Sequence, residues 1–256
     1  MTAGIKILGE ISHTARIKRY AGGRYEILAC DKPVFRETGW EEVNPAERAQ
    51  RTGAGDVARA VRRAKSSLRD IALCNPMTYF ITLTLDRREV DRYDAAAMQR
   101  RLNVWLSNQV QRRGLAYVLV PELHKDGALH YHGLINAALP VVDSGTVIPA
   151  GGGKPRRPRR GDLDSRTVYN LPGWKYGFST ALELVGDYGR AVSYVCKYIG
   201  KNLGGKIGGR WYLSGGALLR PQIEYADVDI RELEDAGGYL YHVPEAAASF
   251  CVWRNF

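Results

Sequence analysis

The sequence predicts an α+β fold: a central antiparallel sheet with helices packed on it, and extensions at both ends. Three observations carry this. Thr78 to Leu85, Ala116 to Leu123, Leu129 to Asn136 and Gly177 to Leu184 read as strands, and the first is rich in β-branched and aromatic residues that alternate with polar ones. The second and third are joined by the turn-forming Lys125-Asp126-Gly127, which makes them a hairpin and therefore antiparallel. Helical periodicity appears between and after these strands, so helices are expected on one side of the sheet.

Taken in order, residues 1 to about 43 read as short strands and turns, with Gly22-Gly23 as a turn. Asn44-Pro45 starts a helix, Asn as N-cap and Pro in the first turn. Val57, Val61, Ala64, Leu68 and Ile71 form its apolar stripe, while Gly53 and Gly55 weaken its first half. Arg59, Arg62, Arg63, Lys65 and Arg69 share this helix, either as a solvated face or as a contact to a DNA backbone. Asp94 caps a second helix, with Met98, Leu102, Trp105, Leu106 and Val110 on its apolar side and Gly114 at its end. A long irregular segment after Asn136 contains Gly151-Gly152-Gly153-Lys154-Pro155-Arg156-Arg157-Pro158-Arg159-Arg160, flexible and strongly basic. The last helix starts near Asp187 and runs to about Leu203. Beyond Gly204-Gly205 the chain is short and turn-rich to Phe256. The expected division is a core at residues 76–204, an extension with a basic helix at 1–75 and a second extension at 205–256.

The formal net charge of +10 and a pI near 9.5 favour a polyanionic partner, nucleic acid before membrane. The four cysteines, Cys30, Cys74, Cys196 and Cys251, are scattered and form no CxxC pair, so neither a zinc site nor a disulfide framework is signalled. A reduced, cytoplasmic setting fits. No run of residues approaches a membrane span, and the N-terminus has no long apolar stretch.

Two of the five histidines, His130 and His132, lie two apart on a predicted strand and so point to one face. Glu122 joins them only if the hairpin loop is odd. A three-residue loop, Lys125 to Gly127, pairs Glu122 with His130 and turns both the same way. A two-residue loop would pair Leu123 with His130 and turn Glu122 away. The odd loop is therefore predicted, with Gly127 in a left-handed bulge. Two imidazoles and a carboxylate without cysteine suit Mg²⁺ or Mn²⁺ as well as Zn²⁺. His124 shares the Glu122 face but sits at the turn, as a loop residue or a support to the ligands.

In the last helix, Tyr194, Lys197, Tyr198 and Lys201 fall within about one third of the circumference. Val192, Val195, Cys196 and Ile199 fall opposite and are expected to dock on the sheet. A tyrosine facing the metal ligands would be a nucleophile beside a Lewis acid. Lys197 would favour the phenolate or steady phosphate oxygens.

These stretches resemble the HUH endonucleases that initiate rolling-circle replication. Phe80-Ile81-Thr82-Leu83-Thr84-Leu85 is similar to the family's first motif. Pro121 to His132, Pro-Glu-Leu-His-Lys-Asp-Gly-Ala-Leu-His-Tyr-His, is similar to the metal motif, with Tyr131 at a position the family fills with a hydrophobic residue. Tyr194-Val195-Cys196-Lys197-Tyr198 is similar to the third motif, including the paired tyrosines of the phage-type subgroup. Trp174-Lys175-Tyr176-Gly177-Phe178-Ser179 resembles filamentous-phage initiators. The likeness covers residues 76 to 204. It implies nicking of single-stranded DNA at a replication origin, with Glu122, His130 and His132 holding Mg²⁺ or Mn²⁺. Tyr194 would form a 5′-phosphotyrosine, Tyr198 would take the second cleavage and Lys197 would assist. No GxxxxGK[ST] loop is present, so unwinding would need a separate host helicase.

A plasmid relaxase or HUH transposase would share this chemistry. A nucleotide hydrolase with a His-x-His-x-His motif would need a third histidine where Leu134 stands. A non-catalytic single-strand-binding module would use Tyr79, Phe80 and Tyr131 as stacking platforms.

Overall fold

The computed structural model describes residues 12–30, 32–33, 35–36, 54–201, 206–229, 231, 233, 239–243 and 248–253. The chain divides into two compact units, Gly53–Leu219 and Met1–Thr52 with Arg220–Phe256. In chain order the elements are β1 (Ser12–His13), β2 (Ala15–Arg19), β3 (Tyr25–Cys30), β4 (Phe35–Arg36), α1 (Ala54–Cys74), β5 (Tyr79–Leu85), α2 (Ala95–Arg113), β6 (Tyr117–Leu123) and β7 (Leu129–Ile135). There follow β8 (Val142–Ile148), β9 (Arg166–Asn170), β10 (Gly177–Glu183), α3 (Tyr188–Tyr198), β11 (Leu213–Gly215), β12 (Gln222–Ala226), β13 (Tyr239–Val243) and β14 (Ala248–Trp253).

The terminal unit is built on a five-stranded sheet in the order β12-β2-β3-β14-β13, so the two ends of the chain pair with each other. These boundaries differ from the sequence-based division at 75 and 204. Helix α1 belongs with the larger unit because Ala64, Leu68, Ile71 and Ala72 are buried against its sheet and α3. Strand β11 lengthens that sheet by pairing with β6. The expected helix start at Asn44-Pro45 and Gly53 lie outside the described residues.

The larger unit is built on a seven-stranded, wholly antiparallel sheet in the order β11-β6-β7-β5-β10-β9-β8. Its central strands are apolar on both faces, so helices cover both, not one. Ile81, Leu83, Leu119, Leu129 and Tyr131 pack with Met98, Leu102, Trp105 and Leu106 of α2. Val118, Val120 and Leu134, at the intervening positions, pack with α1 and with Val192, Val195 and Ile199 at α3. The two-residue period therefore assigns Glu122, His130, His132, Thr82 and Thr84 to the α1/α3 face.

Helix α2 runs as expected from its cap. Asp94 accepts from the Ala97 amide at 2.9 Å, and Gly114 closes the helix in the left-handed region. Strands β8 and β9 form a hairpin inside the segment expected to be irregular. Asp143, Ser144 and Gly145 interrupt the β8 run, and a bulge falls between Asp143 and Thr146. Among the described residues no helix is long and apolar enough to cross a membrane.

Candidate active site

The β6–β7 hairpin positions the central groups. Its loop is the odd one that the site requires. The His124 amide donates to the Ala128 carbonyl and the Gly127 amide to the His124 carbonyl, each at 2.8 Å. Gly127 takes φ 82°, where glycine avoids the clash a Cβ would make. Asp126 accepts from the Ala128 amide at 3.0 Å and from Arg92 at 2.9 Å, which holds the tip. Glu122 accordingly pairs with His130, and both side chains share a face.

The neighbouring strand orients both imidazoles. Thr82 lies opposite His132 and Thr84 opposite His130. Their hydroxyls meet the ring Nδ1 atoms at 3.1 Å and 3.3 Å. Both Nε2 atoms are thus left to face the site. His132 Nε2 lies 2.8 Å from Glu122 Oε2. Burial holds the His132 imidazole down at about 4, against the pull of the carboxylate. The ring is therefore neutral, its single proton lies on Nε2 towards Glu122, and Nδ1 accepts from Thr82. Burial, and then the adjacent His124, also lowers His130. His124 is exposed and stacks on His130 with ring centres 5.1 Å apart.

Tyr131, between the histidines, points to the opposite face and is fully buried in the core with α2. Its hydroxyl has no hydrogen-bond partner among the described residues, and burial raises its pKa. Its ring serves the core and is not available to stack on a base. Gly133 follows His132 because β6 presses on it. A Cβ there would lie 2.0 Å from the Val118 carbonyl oxygen and 2.8 Å from Leu119 Cα.

Helix α3 begins with Asp187 accepting from the Arg190 amide at 3.3 Å, as its sequence suggests. It ends at Tyr198, short of the expected Leu203, because Ile199 turns to ψ 118° and Gly200 enters the left-handed region. This shorter helix makes the two tyrosines unequal. Tyr194 is 48% exposed and Tyr198 only 7%. The Tyr198 ring stacks on His132 at 4.1 Å, and its hydroxyl donates to the Tyr194 hydroxyl at 2.8 Å. Burial first, and that hydrogen bond second, raise the Tyr198 pKa above the usual phenol range. Phe80 of β5 supports the pair, with its ring 5.5 Å from that of Tyr194 and 6.2 Å from that of His132.

The structure brings Glu122, His130, His132, Tyr194 and Tyr198 to one place, but not Lys197, which is exposed and has no polar partner among the described residues. Lys201 comes in instead. Once the helix has stopped, its Nζ reaches Glu122 Oε1 at 3.0 Å and lies 4.6 Å from the centre of the Tyr198 ring. Glu122 thus holds one imidazole N–H and one ammonium. Among the described residues no three His, Cys, Asp or Glu side chains are gathered into a cation cage as they stand. The donor set nevertheless fits a divalent cation: two imidazoles oriented through Nδ1 and a carboxylate, all on one face.

Sequence reasoning missed Thr82 and Thr84, although the alternation in Phe-Ile-Thr-Leu-Thr-Leu puts both threonines on one face. It also passed over Phe178 as a separate group. Phe178 pairs with Thr84, is 62% exposed and stands two strands, roughly 10 Å, from His130.

The family model for the replication-associated protein ORF2 matches residues 78–203. This span includes every ligand and nucleophile candidate just described. No curated protein and no solved structure matches the chain. Over residues 78–203 the chain is therefore similar to the replication-associated protein ORF2 family.

Proposed function

We propose that the protein initiates rolling-circle replication by nicking single-stranded DNA at an origin, with Tyr194 as the first nucleophile. The observation that supports this most is the exposed Tyr194 hydroxyl, hydrogen-bonded by Tyr198 beside the Glu122–His132 pair. The Tyr194 oxygen forms a bond to phosphorus as the bond from phosphorus to the 3′ oxygen breaks. The 5′ phosphate stays on the tyrosine, the tyrosyl proton passes to solvent, and the departing 3′ oxygen takes up a proton. Attack by the freed 3′-OH on the phosphotyrosine reverses these bond changes and rejoins the strand.

The Tyr198 hydroxyl donates to the oxygen that acquires negative charge, and this interaction strengthens as the proton leaves. Lys201 supplies positive charge for the phosphate oxygens. Held by Glu122, His130 and His132, Mg²⁺ or Mn²⁺ would supply Lewis acidity to a non-bridging phosphate oxygen. Thr82 and Thr84 fix the imidazoles that would hold it. Tyr198 takes the second cleavage of a round after leaving its stack on His132. Strand separation is supplied by a separate helicase.

The test is incubation of the full chain with labelled single-stranded DNA and Mn²⁺, a denaturing gel, and peptide mapping of the product. A covalent adduct on Tyr194, lost in Tyr194→Phe, is expected. The proposal fails if no adduct maps to either tyrosine.

A further inference from the structure

We propose that the tip of the β8–β9 hairpin, residues 149–165, is a second nucleic-acid contact that grips the phosphodiester backbone well away from the candidate nicking site. The polynucleotide partner is taken from the reading above. The basic segment is folded around one carboxylate. Asp162 accepts from both terminal guanidinium nitrogens of Arg156, at 2.6 and 2.7 Å, and from the Arg159 amide at 2.6 Å. Arg156 also pairs through its backbone with Val147, and Asp162 returns its amide to the Arg159 carbonyl. One arginine is thus consumed in building the turn.

Lys154, Arg157, Arg159 and Arg160 are exposed; Arg159 lies near enough to Asp162 to help lower its pKa, and the other three side chains have no acidic partner among the described residues. Pro155 and Pro158 limit the backbone further. The result is a row of cations on a preformed scaffold, which suits an extended polyanion and lowers the ordering cost of binding it.

The register places the row. Tyr169 pairs with Ala181, Ala181 with Ile81 and Ile81 with Gly133, so the hairpin lies three strands from the His132 strand. It points towards the end of the sheet opposite Glu122 and His130. Strand spacing and rise put the base of the tip on the order of 20 Å from His132. That distance corresponds to about six base pairs of duplex. A short oligonucleotide seated at Tyr194 would not reach the tip, whereas an origin-length DNA would.

The test uses the full chain with Arg157, Arg159 and Arg160 all changed to Gln, and a matching triple change to Lys. Binding is measured by fluorescence anisotropy over a salt series. The probes are a short single strand and longer single-stranded and duplex DNAs of about 30 nucleotides per strand. The Gln variant should lose roughly tenfold or more in affinity for a long probe, and its salt slope should fall by about 2 to 3. The Lys variant should retain both. The long probe that shows the larger loss identifies which form of DNA the tip grips. Binding of the short probe, and adduct formation on it, should be unchanged.

Unchanged affinity and slope on every probe would overturn the proposal, as would an equal loss on the short probe. Loss of binding to anionic phospholipid vesicles, with DNA binding intact, would assign the tip to a membrane and also overturn it. Failure of the wild-type chain to form any adduct would sink the nicking reading while leaving the binding comparison to stand by itself.

Discussion

Tyr198→Phe separates the two tyrosines. It removes one hydroxyl and keeps the ring that stacks on His132 and lies beside Lys201. The lost interaction is the 2.8 Å hydrogen bond to the Tyr194 oxygen. A hydrogen bond to a group bearing charge contributes about 1.5–3 kcal/mol, and the nucleophile gains that charge only as it reacts. If all of it were expressed in the transition state, adduct formation would slow by about 10- to 150-fold. The assay is single-turnover formation of the covalent adduct on saturating single-stranded DNA with Mn²⁺, with adducts mapped to each tyrosine. Tyr194→Phe should instead abolish first-cleavage adducts. A Tyr198→Phe rate within about twofold of wild type would refute the donor role. Complete loss of adduct in Tyr198→Phe, with adduct retained in Tyr194→Phe, would reverse the assignment.

Thr82→Val keeps the shape of the side chain but removes the bond to His132 Nδ1; Mn²⁺ should then support adduct formation only at roughly 10- to 100-fold higher concentration, measured by metal titration. Gly133→Ala forces a Cβ onto the Val118 carbonyl and the Leu119 backbone and should cost more than about 3 kcal/mol, seen as a lower midpoint in chemical denaturation. The folded pKa of His132, at about 4, lies below its unfolded value of about 6.5, so the unfolded chain binds its proton first as pH falls. The stability tied to neutral His132 is complete above about pH 6.5 and is lost towards pH 4, by at most about 3 kcal/mol, and His132→Gln should flatten that part of the curve of melting temperature against pH.

What could be read from the sequence follows the range of the forces involved. The pairing of Glu122 with His130 was legible because strand period and loop parity are local constraints, and Gly127 marks the loop. The caps at Asp94 and Asp187 were legible for the same reason. The substitution of Lys201 for Lys197 was not. Helical spacing put both lysines beside the tyrosines, but the end of α3 depends on how Ile199 and Gly200 pack, and Gly200 faces Val61 of α1. Strands β8 and β9 were hidden because a bulge and an arginine-rich turn disguise their alternation. The joining of the two chain ends in one sheet is a pairing between distant segments that neither segment announces locally.

The contacts around Glu122 form a chain that would couple cation binding to the proposed nucleophile. Lys201 and His132 both hold the carboxylate, Tyr198 lies on both of those groups, and its hydroxyl reaches Tyr194. Recruiting Glu122 and His132 Nε2 to a cation requires two local exchanges. The ammonium must yield its place on Oε1, and the imidazole proton must move from Nε2 to Nδ1. Thr82 makes the second exchange inexpensive, because a hydroxyl that donates to Nδ1 can rotate and accept from it. The first exchange frees Lys201 beside the Tyr198 ring, within reach of any phosphate drawn to the site. The same ammonium would therefore balance the carboxylate in one arrangement and the phosphate in the other.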